Sequence, residues 1–211
     1  MPDRPATRPR LASSDLHERV REAAFALLLA DRRPAASSAI AAMTGATDGA
    51  LQAMLDELAA AGWIDRDDHG RVTGSAGLSL TTGPHRLQID GTTFRTWCAY
   101  DSIGIAAALS ADARIETECP VCAIGISVEV RHGQSAPGRP ERLWLADGGE
   151  DLRTDFCSPT VLLCSTAHAE RWAHLQGGRG RAVELGDAAD LGREAWAGCA
   201  RATTHLRERQ P

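Results

Sequence analysis

Cys98 and Asp101 stand three positions apart in "TWCAYDSIGIAAAL", at what reads as the first turn of a helix. Side chains at i and i+3 share one helical face and reach each other. The start of a helix, with its unpaired N–H groups and positive dipole end, also favours a thiolate over a thiol. Together they would supply a soft nucleophile or metal ligand with a proton carrier beside it. The same spacing suits a plainer arrangement, with Asp101 serving the helix dipole and Cys98 packed as a small apolar residue. Spacing alone leaves both open.

Five further cysteines could join them: Cys119, Cys122, Cys157, Cys164 and Cys199. Cys119-Pro-Val-Cys122 has the form of a metal knuckle. A closed zinc site needs a second pair, and neither another CxxC nor an HxxxH occurs. Cys157 and Cys164 are seven apart, which on one strand places them on opposite faces. His168 and His174, six apart, diverge on a helix. A redox CxxC would open a helix after a strand, whereas both flanks here read as extended.

The elements that must position these residues follow from periodicity. "DLHERVREAAFALLLADRRP" is an amphipathic helix with Leu16, Val20, Ala24, Leu27 and Leu28 on one stripe. A short helix from Ser37, a turn at Thr44-Gly45 and a longer helix from Asp48 to Ala61 come next. The longer helix is capped by Thr47 or Asp48, buries Leu51, Met54, Leu55 and Leu58, and stops at Gly62. "WIDRDDHGRVTG" reads as a hairpin with Asp68-His69-Gly70 at its tip. Helix, helix, helix, hairpin is the order of a winged helix. Its presumed recognition helix contains Asp56 and Glu57 and no Lys or Arg, so a phosphate backbone would be repelled.

Beyond it, "GLSLTTGPHRLQIDG" alternates like a strand, the Cys98 helix follows, and "ARIETECPVCAIGISVEVRHG" and "ERLWLADGG" read as strands with turns. "DFCSPTVLLCST" reads as another strand, with Pro159 at an edge or bulge. "AHAERWAHLQG" and "LGREAWAGCARATTHLRE" read as helices. The expected fold class is α+β: a winged-helix-like domain over 16–77, then an α+β domain over 78–211 with a mixed or antiparallel sheet flanked by helices.

With 211 residues, 43% of them apolar and a net charge of −5, the chain has no global basic field for nucleic acid. No apolar run approaches a membrane span. The segment over 1–15 lacks the apolar stretch of a secretory signal and reads as a loose tail. The expectation is a cytoplasmic protein with no nucleic-acid and no membrane partner, its cysteines thiols or ligands rather than disulfides.

"TWCAYD", then "ARIETEC", then "DFC" resembles the organomercurial (alkylmercury) lyase family. The resemblance is strongest from Leu78 to Trp172 and includes "HAERWAHLQGG". It implies a winged-helix-like front that does not serve DNA. It also implies two mercury-handling thiols at Cys98 and Cys157, a proton-transferring carboxylate at Asp101 and a structural role for Cys119. Ser158 and Tyr100 depart from residues common in the family, a second cysteine and a leucine. Cys122, Cys164 and Cys199 receive no role from it.

The implied chemistry suits these residue types. Water is a poor ligand for soft mercury, and thiolates are good ones. Two thiolates on R–Hg make the carbon basic enough to take a proton, which an acid must deliver at close range. The products would be a hydrocarbon and Hg(II) held by Cys98, Cys157 and Asp101, with no organic cofactor. Implied partners are organomercurial small molecules, with hand-off of Hg(II) to a mercuric reductase or small thiols. Two other readings stay open here: a related chain that only sequesters soft metals or acts on another substrate, and a metal-sensing winged-helix regulator.

Overall fold

A computed structural model describes residues 15–209; the tail expected over 1–15 lies outside these residues except for Asp15, which opens the first helix. The first helix, α1 (Asp15–Asp31), buries Val20, Ala24, Phe25 and Leu28. Helix α2 (Ser37–Thr44) ends at Gly45, whose φ of 71° is the left-handed turn that glycine takes without strain. Helix α3 (Asp48–Ala60) buries Leu51, Leu55 and Leu58 at helical spacing. Strands β1 (Ile64–Arg66) and β2 (Val72–Ser75) then pair antiparallel around a turn that Asp67 closes by accepting from the N–H of His69 and Arg71.

Strand β2 runs on into β3 (Leu78–Ser79), and the hairpin formed by β4 (His85–Ile89) and β5 (Thr92–Thr96) follows. Helix α4 (Ala99–Ala108) comes next, then β6 (Ala113–Glu118), β7 (Gly125–Arg131) and β8 (Gln134–Ser135). These strands form one eight-stranded antiparallel sheet in the order β1-β2-β3-β5-β4-β6-β7-β8. A second sheet has three strands, with β9 (Arg142–Ala146) between β10 (Leu162–Leu163) and β11 (Gly180–Val183). Helices α5 (Thr166–Leu175), α6 (Leu185–Ala195) and α7 (Ala197–Arg209) complete the chain. The fold class is α+β, with antiparallel sheets and helices against them.

Three expectations change. Strand β5 was not anticipated between "LQID" and the Cys98 helix; Asp90 and Gly91, both at positive φ, make the tight turn that pairs it with β4. The stretch around Cys157 is not a strand. It is a single π-helical turn, Leu152–Cys157, and only Leu162 and Leu163 of that segment join a sheet. The final helical segment breaks at Trp196 into α6 and α7.

Helix α4 is the centre of the molecule. Residues 99–107 are all buried, Asp101 and Ser102 among otherwise mainly apolar side chains, and the helix is covered by the sheet, α6 and α7. Its crossing with α6 depends on two glycines. A Cβ at Gly104 would lie 2.3 Å from the Trp196 ring, and one at Gly192 would lie 2.3 Å from the Gly104 Cα. Neither contact has room to relax in a close-packed interior. Gly104→Ala should therefore cost roughly 1–3 kcal/mol or more by overpacking, read as a lower midpoint in urea with an unchanged slope; a midpoint equal to wild type would show that α6 moves aside freely.

Candidate active site

The first turn of α4 fixes two of the expected residues. Cys98 is the N-cap, in extended conformation, and its backbone N–H donates to Asp101 Oδ2 at 2.8 Å. In return the Cys98 side chain faces the backbone N–H of Asp101, so the pair forms a reciprocal capping box. A serine or threonine usually fills this first position. With cysteine there, a sulfur sits at the positive end of the helix. Thr96 secures the entry by donating to Cys98 O at 3.1 Å and contacting Ser102 Oγ at 2.6 Å.

Cys157 arrives from the other sheet, on the last residue of the π turn. Asp151 caps that turn by accepting from Thr154 N–H at 2.7 Å, and Ser158 N–H reaches Arg153 O at 2.8 Å. A π turn widens the helix by one residue, a feature common at functional sites. Two contacts bind it to α4: Ala99 N–H donates to Thr160 O at 3.1 Å, and the Tyr100 and Phe156 rings meet edge to face at 6.3 Å. The Cys98 and Cys157 sulfurs and a carboxylate oxygen of Asp101 thus lie within 4.8 Å of one another. All three side chains are buried.

A cleft of about 960 Å³ opens onto this group. Cys157 lines it, together with His85, Trp97, Cys119, Arg153 and Trp172. Cys98 and Asp101 lie behind. Arg153 covers the Trp97 ring, its guanidinium carbon 3.3 Å from the ring centre. It also donates to Gly62 O at 2.6 Å and to Asp65 at 2.8 Å, while Trp97 Nε1 donates to the other Asp65 oxygen at 2.9 Å. The front hairpin therefore holds the π turn in place over the site.

Sequence reasoning missed several of these supports. Gly77 has a φ of +92°, and a Cβ there would lie 2.3 Å from Asp101 Oδ1. Trp196 Nε1 donates to Ala76 O at 2.6 Å and holds the same turn against α4. His85 is buried with Nδ1 2.8 Å from Thr117 Oγ1, and burial lowers its pKa to about 4. The glycine-flanked "TGSAGLSL" was the one available signal for Gly77; nothing in the sequence marked His85 or Arg153.

The remaining cysteines separate cleanly. Cys199 lies in α7, apart from both groups. Cys119, Cys122, Cys164 and His168 form a second cluster, again with ligand atoms within 4.8 Å of one another. Burial pushes the Cys119 thiol up, but hydrogen bonds from the N–H groups of Cys164, Val121 and Cys122 and from His168 bring it down to about 6. Burial, then its hydrogen bonds with Cys122 and Cys119, pushes Cys164 up to about 11. The expected divergence of Cys157 from Cys164 holds, for a different reason than strand alternation: Cys157 ends the π turn, and of the residues after it only Leu162 and Leu163 join a sheet before Cys164.

Two thiols and a carboxyl converging in a buried α+β site are groups that could hold a soft metal ion, with a carboxyl beside the sulfurs. The sequence model of the alkylmercury lyase family matches residues 78–198, more than half of the chain, and the chain belongs to that family. It is 29% identical to the alkylmercury lyase of Streptomyces lividans over 149 residues, 69% of this chain and 67% of that protein. It is likewise 29% identical to the alkylmercury lyase of Bacillus cereus over 134 residues, 62% of this chain and 61% of that protein. The matches thus span about two thirds or somewhat less of these relatives' length. The fold is similar to a solved structure described as the mercury-bound form of MerB2, with a TM-score of 0.76 and 21% identity over 89% of this chain and 92% of that one.

Two outcomes follow from the supports. Gly77→Ala forces a methyl group into the Asp101 carboxylate, so both stability and any reaction needing that carboxylate should fall; an unaltered Tm would place the turn elsewhere. His85 gives a pH effect. Between its ordinary 6.5 and its folded value of about 4, the unfolded chain takes a proton that the folded chain refuses, so stability falls as pH falls through that window. At roughly 1.4 kcal/mol per pH unit the loss reaches ~3 kcal/mol. Urea titrations across the window should show a shallower pH slope for His85→Gln than for wild type, and equal slopes would contradict this.

Proposed function

We propose that this chain cleaves carbon–mercury bonds by protonolysis, giving a hydrocarbon and thiolate-bound Hg(II). The observation that carries the reading is the convergence of Cys98, Asp101 and Cys157 within 4.8 Å. Cys157 lines the cleft, so it captures R–Hg first, its proton leaving with the displaced ligand. Cys98 binds next and passes its proton to the Asp101 carboxylate beside it. Two soft thiolates raise the electron density on carbon. Asp101 then gives the proton to carbon as the C–Hg bond breaks, R–H departs, and Hg(II) stays on the two sulfurs. Protons and electrons balance within the three side chains, without an organic cofactor.

Other parts of the reading rest on the same basis. The order α1, α2, α3, β1, β2 supports a winged-helix-like front over 16–77, and the family match beginning at residue 78 supports a catalytic part over 78–211. The acidic face of α3 supports a structural role for that front, not DNA binding. Among the described residues no helix is long and apolar enough to cross a membrane. We place the protein in the cytoplasm, where small thiols or a mercuric reductase would accept Hg(II). Cys119 belongs to the structure rather than to the chemistry.

A single turnover with a methylmercury or phenylmercury salt, measuring released hydrocarbon and protein-bound mercury together, tests this. Cys98→Ser and Cys157→Ser should each nearly abolish hydrocarbon release. Asn at 101 keeps an oxygen for the Cys98 N–H, so Asp101→Asn should still capture R–Hg but release R–H roughly 10²-fold more slowly, the scale for losing a general acid. In D2O the hydrocarbon should carry one deuterium. Tight binding with no hydrocarbon from wild type would instead identify a sequestering protein.

A further inference from the structure

The turn between β6 and β7 and the start of α5 are distant in sequence and meet at the edge of the cleft. Cys119-Pro-Val-Cys122 forms the turn, with Cys119 N–H bonded to Ile124 O at 2.9 Å and Ala123 N–H to Cys119 O at 2.8 Å. Ala123 is held at a φ of 57°, a conformation uncommon for a residue with a Cβ, and it closes the reversal that brings both sulfurs to one side. Opposite them, Cys164 follows β10 and His168 sits in the first turn of α5, whose N-cap Ser165 accepts from His168 N–H at 3.2 Å. Cys164-Ser-Thr-Ala-His168 thus supplies the second ligand pair, as CxxxH rather than CxxC or HxxxH.

We propose that Cys119, Cys122, Cys164 and His168 form a structural zinc site of the Cys3His type, bolting the large sheet to the small one. A tetrahedral site with Zn–S about 2.3 Å and Zn–N about 2.0–2.1 Å has S···S edges of ~3.8 Å and S···N edges of ~3.6 Å. The separations here are 3.7 Å from Cys122 Sγ to Cys164 Sγ, 3.5 Å from Cys119 Sγ to His168 Nδ1, and 3.1 Å from Cys164 Sγ to His168 Nδ1. The donor atoms already stand near the corners that zinc requires. Four protein ligands also leave no open position, which marks a structural site and not a catalytic one.

The position gives the metal its purpose. β10 packs against β6, and the cleft that exposes Cys157 is walled by Cys119 and Pro120 on one side and Val161 and Trp172 on the other. A metal bridging these walls closes a long loop of chain and fixes the cleft's width. No ligand is shared with Cys98, Asp101 and Cys157, so this inference stands or falls separately from the lyase reaction.

The test uses the full chain, purified under reducing conditions, with Zn(II) and Co(II) as probes. Metal analysis should find one zinc per chain in wild type and in the Cys98→Ser/Cys157→Ser double variant, and almost none in Cys122→Ser/His168→Ala. Chelation of wild type should lower Tm by roughly 10 °C or more, restored by zinc alone. Should the Cys122→Ser/His168→Ala variant fail to fold, Co(II) titration of chelated wild type still decides. It should give tetrahedral visible bands and thiolate-to-metal charge transfer, saturating at one equivalent. A reduced wild type that takes up neither metal, or metal that follows Cys98 and Cys157 and not Cys122 and His168, overturns the proposal.

Discussion

The reciprocal cap at the start of α4 is the constraint on which the site depends. One set of backbone N–H groups holds the Cys98 sulfur and is completed by the Asp101 carboxylate. A cap needs an acceptor at the first position and a longer acceptor three residues on. Proton transfer between thiol and carboxyl needs the same two groups at the same distance. The helix start therefore sets, by its own capping, the spacing that the proposed proton transfer would use. The plainer reading of Asp101, as an acid serving a helix terminus, and the chemical one describe a single geometry.

Burial raises the stakes of that arrangement. A carboxyl and two thiols are withdrawn from water together, within 4.8 Å of one another. On the proposed reading, mercury taken by the two thiols sits where the Asp101 carboxylate can receive the displaced proton. The surroundings are packed rings: Tyr100 meets Phe156 and Trp196 edge to face, and Arg153 covers Trp97.

Much of the fold was legible because its signals are local. The stripe from Val20 to Leu28, the caps at Gly45 and Gly62 and the alternation of β4 and β7 each need only a few neighbouring residues to be read. The π turn at Cys157 was not legible, because "LRTDFC" has no periodicity of its own and is held by Asp151, Arg153 and the packing of Phe156. Cys98 and Asp101 could be paired from helical spacing. Cys157 could be joined to them only through the resemblance, since its partners lie on another sheet. The second cluster is hard to read for a narrower reason: beside its CxxC the other pair is Cys164 and His168, a CxxxH on a distant element.

The two clusters divide the cysteines by what each coordination geometry can do. Cys98 and Cys157 come from separate elements, one a helix cap and one a π turn, with a carboxylate as the third group. Two sulfurs suit a metal that prefers few, soft ligands, and in the proposed reaction the acid carries a proton. Cys119, Cys122, Cys164 and His168 offer four donors and no acid, which suits a closed tetrahedron and no chemistry. Between them runs the cleft, with Cys157 on its floor and Cys119 in its wall. The helix cap packs with the large sheet and the π turn with the small one, so the separation of the two sulfurs is only as fixed as the joint between those parts. The backbone bond from Ala99 to Thr160, the Arg153 bridge to Asp65 and the second cluster all brace that joint from different sides. On the proposed reading, two thiols that must meet one Hg(II) need walls that hold their separation.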